Sequence, residues 1–307
     1  MTIVRIATRT SDLALAQARM MAGELERVLG VATELVPLKT TGDRLQGPLT
    51  KVGGKGLFVK EIEEALLDRR ADLAVHSGKD LPAALPDALE LVAFPERADP
   101  RDALVTRPSG GTLAELHRGA RVGTGSVRRT ALLRALRPDL EVVPLRGNVP
   151  TRLRKLESEG LDAVVLACAG LERLGLADRI DERLAPEAML PAVAQGILAI
   201  EGRRGDAIAE DARALGHAAT SLQAIAERGV LERLGADCNV PLAALAEPAE
   251  EGLRLRACLA DPSGAPVLRA EASAGPEEAA ELGRRVAETL LASGGEALLA
   301  ALREAGT

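Results

Sequence analysis

The chain has 307 residues and a formal net charge of −6, with 47% hydrophobic and 27% charged residues. A chain of this length and balance forms two or three globular domains, and its negative charge argues against a general nucleic-acid-binding protein. Phe58 and Phe94 are the only aromatic residues, which excludes an aromatic platform for stacking single-stranded bases.

Short apolar runs alternate with helical segments in two series, which predicts two α/β lobes. In the first lobe we expect strands at 3–7, 33–39, 72–76 and 88–94, with helices at 12–29 and 56–69. In the second lobe we expect strands at 121–124, 140–145 and 162–167, with helices at 126–137 and 149–159. This alternation is typical of βαβ units and therefore predicts parallel sheets.

The polar segment 95–101 is expected to cross between the lobes, and an apolar run at 197–201 to return to the first sheet. From residue 217 the pattern changes to a long helix ending at Leu234, three strands at 242–247, 252–260 and 266–270, and two helices. This change predicts a small α+β domain. The predicted domains are residues 1–97 with 193–215, residues 98–192, and residues 216–307.

Targeting signals and metal motifs are not evident in the sequence. The N-terminal MTIVRIATRT has no apolar signal segment, and no run of about 18 apolar residues occurs. Cys168, Cys238 and Cys258 are too few for a disulfide framework, and the three histidines lack zinc-ligand spacing. We therefore expect a cytoplasmic protein without a metal, a nucleic acid or a membrane partner. Because no exposed apolar stripe requires a partner, we also expect a monomer.

Basic residues stand at several predicted helix starts, where they oppose the helix dipole. They are Arg128 and Arg129 in GTGSVRR, Arg146 and Arg152 in LRGNVPTR, Arg9 in RIATRTS, and Lys51 and Lys55 in KVGGKG. Each pair alone could be solvated, but their repetition favours a bound anion. Because guanidinium groups pair bidentately with carboxylates, separate arginines predict an extended ligand with several carboxylates. GGKG lacks the spacing of a phosphate-binding P-loop.

The segment DLAVHSGKDLP places Ser77, Lys79 and Asp80 directly after a predicted strand. Ligands of open α/β sheets bind at the carboxyl ends of strands. Asp80 could stabilise a developing cation or pass a proton to a leaving amine. The alternative is a turn in which Asp80 binds backbone amides.

Cys238 stands in GADCNVP, a predicted loop after a helix. A cysteine on an accessible loop could be a nucleophile or an attachment point, although no histidine lies nearby in sequence to activate it. Cys168 and Cys258 fall in apolar or strand-like patterns and are predicted to be buried as small hydrophobic residues.

These motifs, together with AGLERLGL and LPAVAQG, resemble those of the porphobilinogen deaminase (hydroxymethylbilane synthase) family in order and spacing. The resemblance implies two α/β lobes like those of periplasmic binding proteins, with a small α+β domain that carries Cys238. It also implies a dipyrromethane cofactor joined to Cys238 by a thioether. Four porphobilinogen molecules would be deaminated and added to this primer, and hydroxymethylbilane would then pass to uroporphyrinogen-III synthase in haem biosynthesis.

The resemblance also implies roles for individual residues. Asp80 would be the catalytic carboxylate that contacts pyrrole nitrogens and stabilises the azafulvene cation formed on deamination. The cofactor-binding residues would be Lys55, Ser77, Lys79, Asp80, Thr124, Ser126, Arg128, Arg129, Gly147 and Arg173. The substrate-binding residues would be Arg9, Ser11, Arg146, Arg152 and Gln195. Lys51 and Phe58 would belong to a mobile loop over the cleft, with Phe58 packed near the pyrrole rings or in the core.

Gly78, Gly125 and Pro150 depart from the methionine, serine and glycine that are common in that family. Gly125 removes a hydroxyl from the expected anion pocket but keeps its backbone amide. Two rival functions remain open. A non-catalytic two-lobed anion-binding protein would not need Cys238, and an unrelated cysteine-nucleophile transferase would need a partner histidine.

Overall fold

The computed structural model describes residues 3–44, 56–237, 239–250 and 252–305. Lys51, Lys55 and Cys238, to which the sequence assigned roles, lie outside these ranges. The described residues form two five-stranded sheets and one three-stranded sheet.

The first lobe begins with alternating strands and helices, as predicted. Its strands are β1 (Ile3–Arg9), β2 (Ala32–Leu38), β3 (Leu73–Ser77) and β4 (Leu89–Ala93). Its helices are α1 (Asp12–Leu29), the short α2 (Thr41–Arg44) and α3 (Lys60–Leu67). Ser11 begins α1 by accepting a hydrogen bond from the backbone N–H of Ala14, and Gly30 ends it in the left-handed conformation.

The second lobe repeats this alternation. Its strands are β5 (Asp102–Thr106), β6 (Arg121–Thr124), β7 (Glu141–Pro144), β8 (Ala163–Ala167) and β9 (Glu182–Leu184). Its helices are α4 (Val127–Leu136), α5 (Val149–Ser158) and α6 (Cys168–Arg173). The prediction that Cys168 is buried is confirmed, and this cysteine begins α6 directly after β8.

The chain then returns to the first sheet before it forms the C-terminal domain. Strand β10 (Leu198–Arg203) and helix α7 (Ala207–Ala212) belong to the first lobe. The C-terminal domain contains α8 (Ala218–Leu234), β11 (Leu242–Ala249), β12 (Gly252–Ala260), β13 (Val267–Ala274), α9 (Ala279–Leu290) and α10 (Glu296–Ala305). The domain boundaries stated above stay a prediction.

The two large sheets are mixed, which corrects the prediction of parallel sheets. The first has the order β2-β1-β3-β10-β4, and the second has the order β7-β6-β8-β5-β9. In the first, β10 runs antiparallel to both of its neighbours, and in the second, β5 does the same. Both reversed strands follow segments that cross between the lobes. The chain therefore enters each sheet from the other lobe, and the local βαβ pattern does not apply to these strands.

The C-terminal domain packs against both lobes. One aliphatic core joins its residues Leu255 and Leu282 to Leu81 and Ala194, which lie near the ends of the first lobe's strands. A second core joins Leu245 of the domain to the second lobe. Among the described residues, no helix is both long and apolar enough to span a membrane.

Candidate active site

Strand β3 ends at a tight turn that presents Lys79 and Asp80. Gly78 begins this turn, and its N–H donates to the carbonyl of Ile197 at 2.9 Å. A Cβ at position 78 would lie 3.0 Å from the Cβ of Ala194. The methionine common in the family at this position would therefore require a local shift of the backbone. The side chain of Asp80 is one third exposed.

Arg9, at the end of β1, connects Asp80 to the rest of this wall. Arg9 Nη1 donates to Asp80 Oδ2 at 3.3 Å, and Arg9 Nη2 donates to Asp43 Oδ1 at 2.5 Å. The guanidinium lies over the ring of Phe58, 4.2 Å from its centroid, as in a cation–π contact. Phe58 is half-buried, so it belongs neither to the core nor to a fully exposed surface.

A cavity of about 70 Å³ opens among these side chains. Its lining includes six residues that the sequence assigned to the site: Arg9, Ser11, Phe58, Ser77, Lys79 and Asp80. The structure therefore brings the predicted catalytic residue together with predicted substrate and cofactor residues of the first lobe. The volume is enough for a few water molecules.

Lys79 faces the second lobe. Its Nζ donates to Gln195 Oε1 at 3.4 Å, and Gln195 Oε1 also accepts from Arg129 Nη2 at 3.4 Å. The lysine keeps access to solvent, but partial desolvation by the surrounding protein and the charge of Arg129 lower its pKa to about 8. Lys79 is therefore a cation near neutral pH that stands beside other cations.

Asp102 is a fully buried carboxylate that no motif in the sequence pointed to. It accepts hydrogen bonds from Arg128 Nη1 at 2.7 Å, from Arg129 Nη2 at 2.8 Å and from Gln195 Nε2 at 2.9 Å. Burial raises the pKa of Asp102, but the two guanidinium groups outweigh burial and hold the pKa well below its usual range. The sequence predicted an anion beside the arginines at the start of α4. The chain itself supplies part of this negative charge, since Asp102 is one carboxylate shared by two guanidinium groups.

The turn before α4 is shaped for close approach of backbone groups. Ser126 begins the helix by accepting from the N–H of Arg129 at 3.4 Å, and the buried Thr124 hydroxyl accepts from the N–H of Ser126 at 3.3 Å. A Cβ at Gly125 would lie 2.5 Å from the carbonyl oxygen of Leu145. The serine that is frequent in the family at this position does not fit this backbone.

Gly147 lies just before the start of α5 and also allows a close approach that a larger residue would prevent. Its φ of 117° lies in the region that favours glycine, and a Cβ there would lie 2.6 Å from Thr151 Cγ2. Its carbonyl accepts from Arg152 Nε at 2.7 Å, and the Asn148 side chain caps α5 as predicted. Gly147 therefore fixes the orientation of the Arg152 side chain.

Positive charge exceeds negative charge in the described part of this region. Burial and the charges of Arg129 and Arg146 lower the pKa of Arg152 to about 10, while Asp80 opposes the shift. Burial lowers the pKa of Arg173 to about 10, and its Nη2 donates to the carbonyl of Gly196 at 2.7 Å. The Nε atoms of Arg128 and Arg173 are buried without a hydrogen-bond partner among the described residues. These unused donors and surplus cations suit a ligand with several carboxylates.

A second group of ionisable residues lies on β3, β10 and α3. His76 Nε2 is 2.9 Å from Glu201 Oε2, and both side chains are buried. Burial and the charge of Glu201 raise the pKa of Glu63, on α3, to about 7. Glu63 Oε1 and Glu201 Oε1 are buried without a hydrogen-bond partner among the described residues.

Glu63 is expected to make folding depend on pH. Because its pKa is higher in the folded protein than in the unfolded chain, the folded protein retains a proton between about pH 4.5 and pH 7 that the unfolded chain has released. The free energy of unfolding contributed by this group therefore falls as pH rises through that interval. Glutamine does not titrate, so Glu63→Gln should lack this loss. We expect the free energy of unfolding of the variant minus that of wild type to be about 2 kcal/mol larger at pH 8 than at pH 5.

Urea unfolding of both proteins at pH 5 and pH 8 measures this difference. The matched control is Glu64→Gln, which changes the exposed neighbour on the same helix. It should leave the pH dependence as it is in wild type. An equal pH dependence in Glu63→Gln and wild type would contradict the prediction.

The fold and the site define a class: a two-lobed α/β protein with several cations gathered around a carboxylate at a strand end, an arrangement that suits a ligand with several carboxylates. The family model described as "Porphobilinogen deaminase, dipyromethane cofactor binding domain" matches residues 4–211, and "Porphobilinogen deaminase, C-terminal domain" matches residues 221–292. The chain belongs to the porphobilinogen deaminase family, as the sequence motifs predicted, and is therefore a transferase.

Relatives match over almost the whole chain. The porphobilinogen deaminase of Syntrophotalea carbinolica is 51% identical over 97% of this chain and 96% of its own length. That of Syntrophus aciditrophicus is 46% identical over 98% of this chain and 99% of its own length. A solved structure of the Bordetella pertussis BvgS VFT2 domain is similar at a TM-score of 0.42 and 18% identity, over 69% of this chain and 87% of that domain.

Proposed function

We propose that this chain deaminates porphobilinogen and joins four molecules head to tail onto a dipyrromethane primer held in the cleft. Each molecule loses ammonia as it is joined, and hydrolysis by water then releases hydroxymethylbilane and leaves the primer in place, in tetrapyrrole biosynthesis. The observation that carries this proposal is the excess of cations, from both lobes, around the carboxylate of Asp80. Each pyrrole of the substrate and product carries an acetate and a propionate, so the ligand gains negative charge as it grows.

The residues present fit the dipyrromethane. The Nε atoms of Arg128 and Arg173, which have no hydrogen-bond partner in the described part of the chain, are donors that a carboxylate could use. Desolvation that lowers the pKa of Lys79 and Arg152 favours an added negative charge beside them. When bound, the dipyrromethane supplies the pyrrole carbon to which the first substrate is joined. The residues proposed to hold it are Lys55, Ser77, Lys79, Asp80, Thr124, Ser126, Arg128, Arg129, Gly147 and Arg173.

Substrate carboxylates are proposed to bind a second set of residues: Arg9, Ser11, Arg146, Arg152 and Gln195. The contact between Arg9 and Asp80 supports this assignment, since a substrate bound at Arg9 lies beside the catalytic carboxylate. Arg152 lies close enough to Asp80 for that carboxylate to affect its pKa. Lys51 and Phe58 are proposed to cover the cleft, and the stacking of Arg9 on Phe58 supports a place for Phe58 at its edge.

Asp80 is proposed to act on the reacting pyrrole. Its partly exposed carboxylate can accept hydrogen bonds from pyrrole N–H groups and stabilise the positive charge that develops as the amine leaves. Arg9 limits how far the carboxylate can rotate.

Cys238 is proposed to be the thioether attachment point. Cys168 and Cys258 are buried, and burial raises the pKa of Cys168 to about 12, so neither is a ready nucleophile. We also propose that the protein works as a cytoplasmic monomer and that uroporphyrinogen-III synthase consumes its product.

Intact-protein mass spectrometry tests the attachment. Wild type is expected to carry the added mass of two pyrrole units, and Cys238→Ser is expected to lack this mass and to be inactive. Cys258→Ala, which changes a buried cysteine, is the matched control and should keep the added mass. An unmodified wild type that consumes porphobilinogen would contradict the attachment, and a protein that binds porphobilinogen without consuming it would favour a non-catalytic binding protein.

A further inference from the structure

Arg228 connects the C-terminal domain to the loop that carries Asp80. It lies on α8, and its side chain is only 8% exposed. Arg228 Nη2 donates to the carbonyls of Pro82 at 2.9 Å and Ala83 at 3.1 Å. These carbonyls follow Asp80 by two and three residues, so the guanidinium fixes the far end of the catalytic loop.

The preceding residue of α8 fixes a second segment beside the cleft. Glu227 is fully buried and accepts from Arg97 Nη1 at 2.6 Å and from the N–H of Ala194 at 2.6 Å. Ala194 immediately precedes Gln195, which contacts Lys79, Arg129 and Asp102. Two consecutive residues of one helix thus bind the two backbone segments from which cleft side chains project.

The same helix leads to the proposed attachment point. α8 ends at Leu234, and Cys238 follows four residues later. A helix is a rigid element. A residue on α8 that binds the loop carrying Asp80 therefore also fixes the position of that loop relative to the segment that begins where α8 ends.

Stabilisation alone does not account for Arg228. Burial lowers its pKa, and its Nη1 is buried without a hydrogen-bond partner among the described residues. Its carboxylate partner, Glu232, is more than half exposed and lies 3.7 Å away. A buried guanidinium with an unused donor costs stability, which a well-packed apolar side chain would avoid.

We propose that Arg228 is a positioning residue that sets the place of Asp80 relative to the bound primer. It does so through the carbonyls of Pro82 and Ala83 and does not touch the substrate. The inference rests on the proposed catalytic role of Asp80. A loop released from Arg228 would carry Asp80 away from its reactive position, and a displacement of about 1 Å can cost on the order of 100-fold in rate.

The test compares Arg228→Met, which keeps the apolar stem but has no donor, with Arg228→Lys, which keeps a donor. The matched control is Arg203→Met. Arg203 also donates to two backbone carbonyls of the first lobe, those of Leu66 and Ala71. It is not among the residues proposed to bind the primer or the substrate. The measurements are kcat, KM, the intact mass and amide hydrogen exchange of residues 78–83.

Arg228→Met is expected to retain the mass of the primer, to lose about 10- to 100-fold in kcat with KM changed less than about threefold, and to exchange residues 78–83 faster. Arg228→Lys should recover most of the kcat, and Arg203→Met should keep wild-type kcat. A kcat of Arg228→Met within twofold of wild type, or unchanged exchange of the loop, would overturn the inference. A fully active Asp80→Asn would instead overturn the proposed catalytic role, so the two failures are distinguishable.

Discussion

Replacing Asp80 with asparagine is expected to lower kcat at least 100-fold while the protein keeps its primer and its fold. Asparagine has nearly the same shape but no charge, so it can neither balance the cation that develops as ammonia leaves nor take up a proton. The primer should be retained, because Asp80 is only one of the residues proposed to hold it and the arginines and lysines among them are unchanged. The rate of porphobilinogen consumption at saturating substrate measures the effect.

The matched control is Asp72→Asn, in the same lobe. Asp72 accepts a hydrogen bond from Arg5 Nη2 at 2.8 Å. Neither residue is among those proposed to bind the primer or the substrate. This variant should be less stable than wild type but should turn over normally. An Asp80→Asn protein with kcat within about threefold of wild type would remove Asp80 from the mechanism.

Asp102→Asn is expected to destabilise the protein by about 3 to 5 kcal/mol, because it leaves two buried guanidinium groups without their shared counter-charge. The loss should be smaller when the primer is bound, since its carboxylates can pair with Arg128 and Arg129. We therefore expect Asp102→Asn to cost more in the Cys238→Ser background, which cannot retain a primer, than in a chain that carries one.

Thermal unfolding of the two single variants, the double variant and wild type measures this coupling. Asp139→Asn is the control, because Asp139 and its partner Arg137 are both partly exposed, and the change should cost less than about 1 kcal/mol. An equal loss in the two backgrounds would show that primer and Asp102 do not share the two arginines.

Much of the fold follows from local sequence patterns. The helix at Asp12–Leu29 has the predicted limits because Ser11 caps one end and Gly30 ends the other. Strands β5 and β9 were not predicted. β5 is a short run after the turn-prone PERADPR, and β9 has three residues, too few for a period of two to be visible. The antiparallel direction of β5 and β10 depends on which lobe the chain comes from, and local patterns do not contain this information.

The site was predicted in part. Cations at helix starts indicated an anion, and the strand end before Asp80 indicated a ligand edge, because both signals are local. Asp102 could not be found in this way, since it pairs with arginines 26 and 27 positions away and stands in no motif. The only signal for Asp102 is an acid that begins the apolar run DALV. Arg228 gave no signal either, because it lies within an ordinary helix and contacts Pro82 and Ala83 only through the fold.

Asp80 is proposed to promote the addition of porphobilinogen to a primer held by the cations around it. The measurement that tests it most directly is the intact mass of wild type and Asp80→Asn after brief mixing with porphobilinogen and an acid quench. Wild type should appear at the mass of the chain with two pyrrole units and at further masses with one or more added units. Asp80→Asn should remain at two pyrrole units. Added units on Asp80→Asn at the wild-type rate, or turnover by a wild type that carries no pyrrole units, would contradict the claim.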